Sequence, residues 1–291
     1  MIIAPYMYRP SVFLLLLLLC GTLIVAKGQQ NNSSSSSPKR NAIVVQLTKE
    51  QPLIPDFRHR RLFGSYVGKS MLEACAPLVA KASFEQAAKR LERPIDTDFI
   101  VLTNDDSVEA EASLHGLLAM RVPETLLLAT EERQRRRREP FHELQTLYKA
   151  ATIGMTQYKW VCFQDLDVLL FAHPLWWMLA DPRSQRADLL GCSEIGGGDC
   201  PFNAGLFCVR PNAERYAEAL ELIAHGHVSS EWGWFVPTNL EKFPKIPPPD
   251  KSWTFPAFNI DQGLFMYLYG LHHSYHRPHD CTVGVRSTKK H

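Results

Sequence analysis

The chain has almost no net charge: 32 Lys and Arg against 30 Asp and Glu leave a formal +2 over 291 residues. That balance removes any global reason to expect nucleic acid or an acidic partner. Its one basic run, Arg133, Arg135, Arg136, Arg137 and Arg138, lies beside Glu131, Glu132 and Glu139 and reads as a solvated helix or loop face. A G-x-G-x-x-G loop is lacking too. The triple glycine Gly196, Gly197 and Gly198 has neither that spacing nor the strand-to-helix setting, so alone it is a weak signal for a dinucleotide-binding loop. Four histidines near the end, His272, His273, His276 and His279, have no clean metal-ligand spacing. No apolar run reaches the ~20 residues of a full membrane span.

The longest such run, residues 12–26, is mostly leucine, carries no charge and follows Arg9. It addresses the chain to the secretory route, either as a signal peptide cut near Ala26, Lys27 and Gly28 or as an uncleaved anchor. The polar stretch 29–37 favours the anchor, because it reads as a flexible stalk holding a domain off a membrane. The expected organisation is therefore a signal anchor or signal peptide over 1–28, a stalk over 29–41 and one domain over 42–291. The expected location is the secretory lumen, as a type II Golgi membrane protein, or outside the cell if the segment is cleaved. Asn31 and Asn32 begin N-x-Ser sequons, as a luminal glycoprotein would carry. Of seven cysteines, Cys20 lies in the apolar run. Cys162 and Cys208 fall in expected buried strands, where cysteine usually serves as a small hydrophobe. Cys192 and Cys200 flank the glycine loop and are the first pair to test for a bridge.

Composition is that of a globular enzyme, with 45% hydrophobic and 21% charged residues. Strands are expected at 42–47, 99–103 and 124–129, and helices at 65–91 and 108–120. That β-α-β-α-β order is the pattern of an α/β fold with a parallel sheet covered by helices. A helix over 141–157 feeds the next strand. Further on, 175–179 reads as a short helix, 187–192 as a strand and 213–225 as a helix. Residues 232–253 form a long loop rich in proline and aromatics, where exposed tryptophans would suit sugar faces.

The strand expected over 158–171 holds the chemistry. Asp165 and Asp167 interrupt an apolar sequence in which an unpaired charge is costly. Side chains at i and i+2 of an extended segment share a face, so both carboxylates can meet one divalent cation. Ligands in open α/β sheets gather beyond the carboxyl ends of strands, where these acids fall. Asn203, in the otherwise apolar stretch 202–209, also asks for a partner, and Gly205 lets a ligand or a backbone approach closely. Asp261 opens a helix and can equally be an N-cap.

In this order the chain resembles glycosyltransferase family 8, the glycogenin-like retaining transferases of the GT-A fold. Three blocks carry the resemblance: Lys149 through Gln164, Asp165, Leu166 and Asp167; Phe202, Asn203, Ala204, Gly205, Leu206 and Phe207; and Asp261, Gln262, Gly263 and Leu264. The resemblance implies a GT-A domain with a mostly parallel twisted sheet. It implies that Asp165 and Asp167 bind manganese or another divalent cation, and that Lys149, Asp165, Asp167, Asn203 and Gly205 form the donor site. Asp261 and Gln262 would lie by the transferred sugar as catalytic residues. The donor would be a nucleoside-diphosphate sugar, expected as the UDP-linked form, and the acceptor a glycan, protein or lipid. The family's closing block, H-F-x-G-x-x-K-P-W, has no counterpart before His291. Either the domain is truncated, or His272, His273, His276, His279 or His291 supplies the third metal ligand, or the metal site is defective. A GT-A pseudoenzyme that binds sugar or nucleotide is the alternative. A haloacid dehalogenase-type phosphatase, which shares a D-x-D-x-[TV] motif, ranks lower because its motif belongs to the first strand of the domain.

Overall fold

The computed structural model describes residues 40–46, 69–89, 96–138, 141–165, 187–192, 202–246, 260–271 and 282–286. The first strand, β1 (Asn41–Gln46), has four fully buried residues in a row, as a strand covered on both faces requires. The chain continues through helix α1 (Lys69–Ala88), β2 (Thr97–Thr103), α2 (Asp106–Leu114), β3 (Leu118–Arg121) and α3 (Glu124–Arg137).

Here the order differs from the sequence expectation. Helix α2 stops at Leu114, because Gly116 takes a φ of 66° and turns the chain into β3. The expected strand over 124–129 is the start of α3. An apolar triplet such as Leu126, Leu127 and Leu128 fits a strand or a helix equally, and Pro123 and the charged residues that follow decide for helix. The end of α3 is marked by Arg138 in the left-handed conformation, with its N–H on the Gln134 carbonyl.

The expected helix over 141–157 is three short pieces: α4 (Phe141–Thr146), a 3-10 turn (Leu147–Ala150) and α5 (Ala151–Gly154). Strand β4 is only Val161–Gln164, followed by Asp165; Asp167 and the expected helix over 175–179 lie outside the described residues. Then come β5 (Ala187–Cys192), β6 (Asn203–Val209), α6 (Ala213–His225), a hairpin of β7 (His227–Ser229) and β8 (Gly233–Phe235), and α7 (Asp261–Phe265). A π-helical turn (Met266–Leu271) and β9 (Thr282–Arg286) complete the order.

One sheet runs β3-β2-β1-β4-β6-β5-β9. Strands β1 to β4 are mutually parallel, β6 opposes β4, β5 opposes β6 and β9 opposes β5, so β1 to β5 all point one way. The sheet is thus mostly parallel in an α/β fold, as the sequence predicted. Side chains alternate cleanly between its faces. Ala42, Val44, Ile100, Leu102, Val161, Phe163 and Phe207 join the core under α3 and α6, whereas Ile43, Val45, Phe99, Val101, Cys162 and Cys208 face the layer of α1 and α2.

Cys162 and Cys208 are not merely small hydrophobes. Their strands place them directly opposite each other, and their sulfurs are bonded. Cys200, of the pair expected to bridge first, lies outside the described residues. Arg133 likewise departs from the solvated reading of its run. It is buried, lies 4.4 Å from the Trp234 ring centroid and donates to the Gly226 carbonyl, pinning α3 to the hairpin. Trp234 is therefore a core residue and not an exposed sugar platform. No helix among the described residues is long and apolar enough to cross a membrane, and residues 1–39 lie outside them.

Candidate functional site

The sheet order reverses at β1. The chain leaves β1 toward β2 and β3, then returns to its other side as β4. Such a switch point opens a crevice beyond the carboxyl ends of the two strands. The register pairs Val44 with Phe163, so two residues on, Gln46 and Asp165 stand side by side at this edge. Asp165 is past the ladder's last β4 residue but still anchored, its N–H donating to the Gly205 carbonyl at 2.8 Å.

Lys149 is the centre of the site. The 3-10 turn carries it over the end of β4, with its side chain 9% exposed and its ammonium 4.8 Å from the Phe163 ring centroid. Nζ lies 2.8 Å from Asp261 Oδ2 and 3.0 Å from Asp165 Oδ1, and it donates to the Ala204 carbonyl at 3.1 Å. Burial by itself would push the lysine toward neutrality. The carboxylates of Asp261 and then Asp165 outweigh that cost and hold the ammonium above the usual lysine pKa.

Asp261 is not a helix cap. The N-cap of α7 is Ile260, and Asp261, the first helical residue, is buried with its carboxylate on Lys149. Its neighbour Gln262 donates from Nε2 to the Phe202 carbonyl at 2.6 Å, which ties α7 to the start of β6. Asn203 opens β6 and accepts from the Gly205 N–H at 2.7 Å through Oδ1. Gly205 has no room for a side chain: a Cβ there would lie 2.8 Å from Asn203 Oδ1 and 3.1 Å from Asp165 Oδ2.

Lys149, Asp165, Asn203, Gly205, Asp261 and Gln262 thus gather at one edge of the sheet from four separate elements. Asp167 and the five candidate histidines of the tail, His272, His273, His276, His279 and His291, lie outside the described residues. Among the described residues, no group of three or more His, Cys, Asp and Glu side chains is placed to hold a metal ion. The carbonyls of Phe202 and Ala204 were missed by sequence reasoning. Backbone oxygens carry no residue-type signal, and only the pairing of β6 with β4 brings them here.

No protein-family model matches the chain, and no curated protein matches it. Among solved structures it is similar to glucosyl-3-phosphoglycerate synthase from Mycobacterium tuberculosis in complex with UDP, at 13% identity over 61% of this chain and 58% of that one, with a TM-score of 0.30. The match therefore spans less than two thirds of the mycobacterial enzyme. It is also similar to mouse xyloside xylosyltransferase 1, at 15% identity over 62% and 72% of the two chains, with a TM-score of 0.39. CMP:2-keto-3-deoxy-manno-octonic acid synthetase complexed with CTP is similar at 14% identity over 62% and 78%, with a TM-score of 0.32. Scores this low carry no weight on function.

Proposed function

We propose that the chain is a retaining glycosyltransferase of the GT-A type, moving a hexosyl unit from a nucleoside-diphosphate sugar, in the UDP-linked form, to a glycan, protein or lipid acceptor. The observation that carries this reading is the Lys149 ammonium held between Asp165 and Asp261 at the switch-point edge of the sheet. The three resemblance blocks, far apart in sequence, meet there.

A divalent ion such as manganese fits what is present. Asp165 is partly exposed and offers hard oxygen donors, and the missing side chain of Gly205 keeps the space beside Oδ2 open. Asp165, together with Asp167, would hold the ion, whose bound charge would stabilise the departing diphosphate.

The chain's own residues do the rest. Lys149 supplies a fixed positive charge without the reorganisation that water would need. Asp261 is oriented by Lys149, so it can face positive charge developing on the sugar while the acceptor enters on the same side. Asn203 has Oδ1 committed to Gly205, so donation from its amide nitrogen is what it can offer a donor. Gln262 holds the start of β6 through Phe202 and lies next to Asp261.

The disulfide between Cys162 and Cys208 supports a place in the oxidising secretory lumen, with residues 12–26 as anchor or signal and the Golgi membrane as the expected site. A second reading, a GT-A pseudoenzyme that binds nucleotide or sugar without turnover, is favoured by the ammonium resting on Asp165. Release of free nucleotide from a panel of sugar nucleotides, with and without manganese, separates the two. Asp165→Asn or Asp167→Asn should abolish metal-dependent donor binding, and wild-type affinity in either variant would refute the metal assignment.

A further inference from the structure

Three oxygens from three elements converge on one point. Asp165 Oδ1 comes from the end of β4, Asp261 Oδ2 from the first turn of α7 and the Ala204 carbonyl from β6, at 3.0, 2.8 and 3.1 Å from Lys149 Nζ. Two carboxylates and a carbonyl are the donor set that hard divalent cations take. In this chain the cation among them is an ammonium, delivered by the 3-10 turn and backed by the Phe163 ring. Asp165 is also the residue that a divalent ion would need. Two cations on one carboxylate repel, and a lysine this buried is little screened by water.

We propose that Lys149 is a built-in counter-cation that competes with a divalent ion for Asp165, so that metal is held firmly only when an anionic diphosphate enters with it. This rests on the donor reading given above. The diphosphate brings negative charge that both cations share, so nucleotide and metal bind with positive coupling, each raising the other's affinity by the same factor.

The test uses Mn2+ alone as probe, following unbound Mn2+ by electron paramagnetic resonance with the full chain. Wild type, Lys149→Met, and Lys149→Met combined with Asp261→Asn are compared without nucleotide. Lys149→Met is expected to bind Mn2+ at least about tenfold more tightly than wild type, since the like charge is gone and both carboxylates remain. Adding Asp261→Asn should reverse most of that gain. Thermal melts give a second readout: two carboxylates left without their cation destabilise Lys149→Met, and Mn2+ should raise its Tm by more than it raises that of wild type. Lys149→Met binding no tighter than wild type, or unfolded with and without Mn2+, overturns the proposal. A UDP arm on wild type judges the donor reading separately. If UDP brings wild type no gain in Mn2+ affinity while Lys149→Met binds metal tightly, the competition at Asp165 stands and the donor reading falls.

Discussion

Asp261 Oδ2 and Lys149 Nζ lie 2.8 Å apart, both buried, although the two residues belong to a helix start and a 3-10 turn more than a hundred positions distant in the chain. Removing one partner of such a pair leaves the other charge in a poor solvent.

Asp261→Ala should therefore cost stability of about 3 kcal/mol, at the low end for breaking a buried pair because Asp165 still faces the lysine. Turnover should fall far more than donor affinity, since contact with the developing sugar cation exists only in the transition state. Melting curves and kinetics on one preparation check both. Near-normal activity at lowered Tm would reduce Asp261 to a structural counter-ion.

Gly205→Ala places a methyl against Asn203 Oδ1 and Asp165 Oδ2. The expected stability loss is about 1–3 kcal/mol, the range for overpacking, and the displaced Asp165 carboxylate should weaken Mn2+-dependent nucleotide binding. Calorimetry with UDP and Mn2+ measures it, and unchanged affinity would show that the Asp165 carboxylate can shift without consequence.

The disulfide between Cys162 and Cys208 closes a loop with a sequence separation of 46. Reduction, or Cys162→Ala with Cys208→Ala, should lower stability by about 2–4 kcal/mol. Denaturant melts with and without a dithiol, with mass spectrometry after thiol alkylation, test this. Both cysteines alkylated in the unreduced protein would contradict the bond.

Alkaline pH should weaken the fold in a definite window. Burial, with the Asp98 carboxylate at 3.1 Å, pushes the Tyr158 hydroxyl up to about 12 from the ordinary 10. A raised folded pKa means that its contribution is complete below pH 10 and is lost as pH climbs toward 12. The raised values of Tyr148, Tyr216 and Lys149 act in the same direction. Tm should therefore fall across that window, and Tyr158→Phe should make the fall shallower. An identical slope in the variant would rule out Tyr158 as a contributor.

Much of this was legible in the chain. Unbroken apolar runs marked β1 and β2, because a strand covered on both faces has no polar position to spare. Helix α6 was readable residue for residue, since Asn212 caps it and its 3.6-residue apolar stripe ends at Gly226. Residues 108–129 were misread because Leu126, Leu127 and Leu128 satisfy strand and helix patterns alike, and the signals that decide for helix, Pro123 before them and the charged residues after, lie outside the apolar triplet. The carboxylate at Asp165 was flagged by its chemical incongruity in an apolar stretch.

By itself the sequence determined which residues are costly to bury, and so pointed to Asp165 and Asn203 as needing partners. Only the tertiary structure decided who those partners are. Lys149 could have been a solvated helix residue, Asp261 a cap and Cys162 a small hydrophobe. Each was reassigned by a neighbour brought from a distant segment, because ion pairs and disulfides act over about 3 Å of space, whatever the distance along the chain.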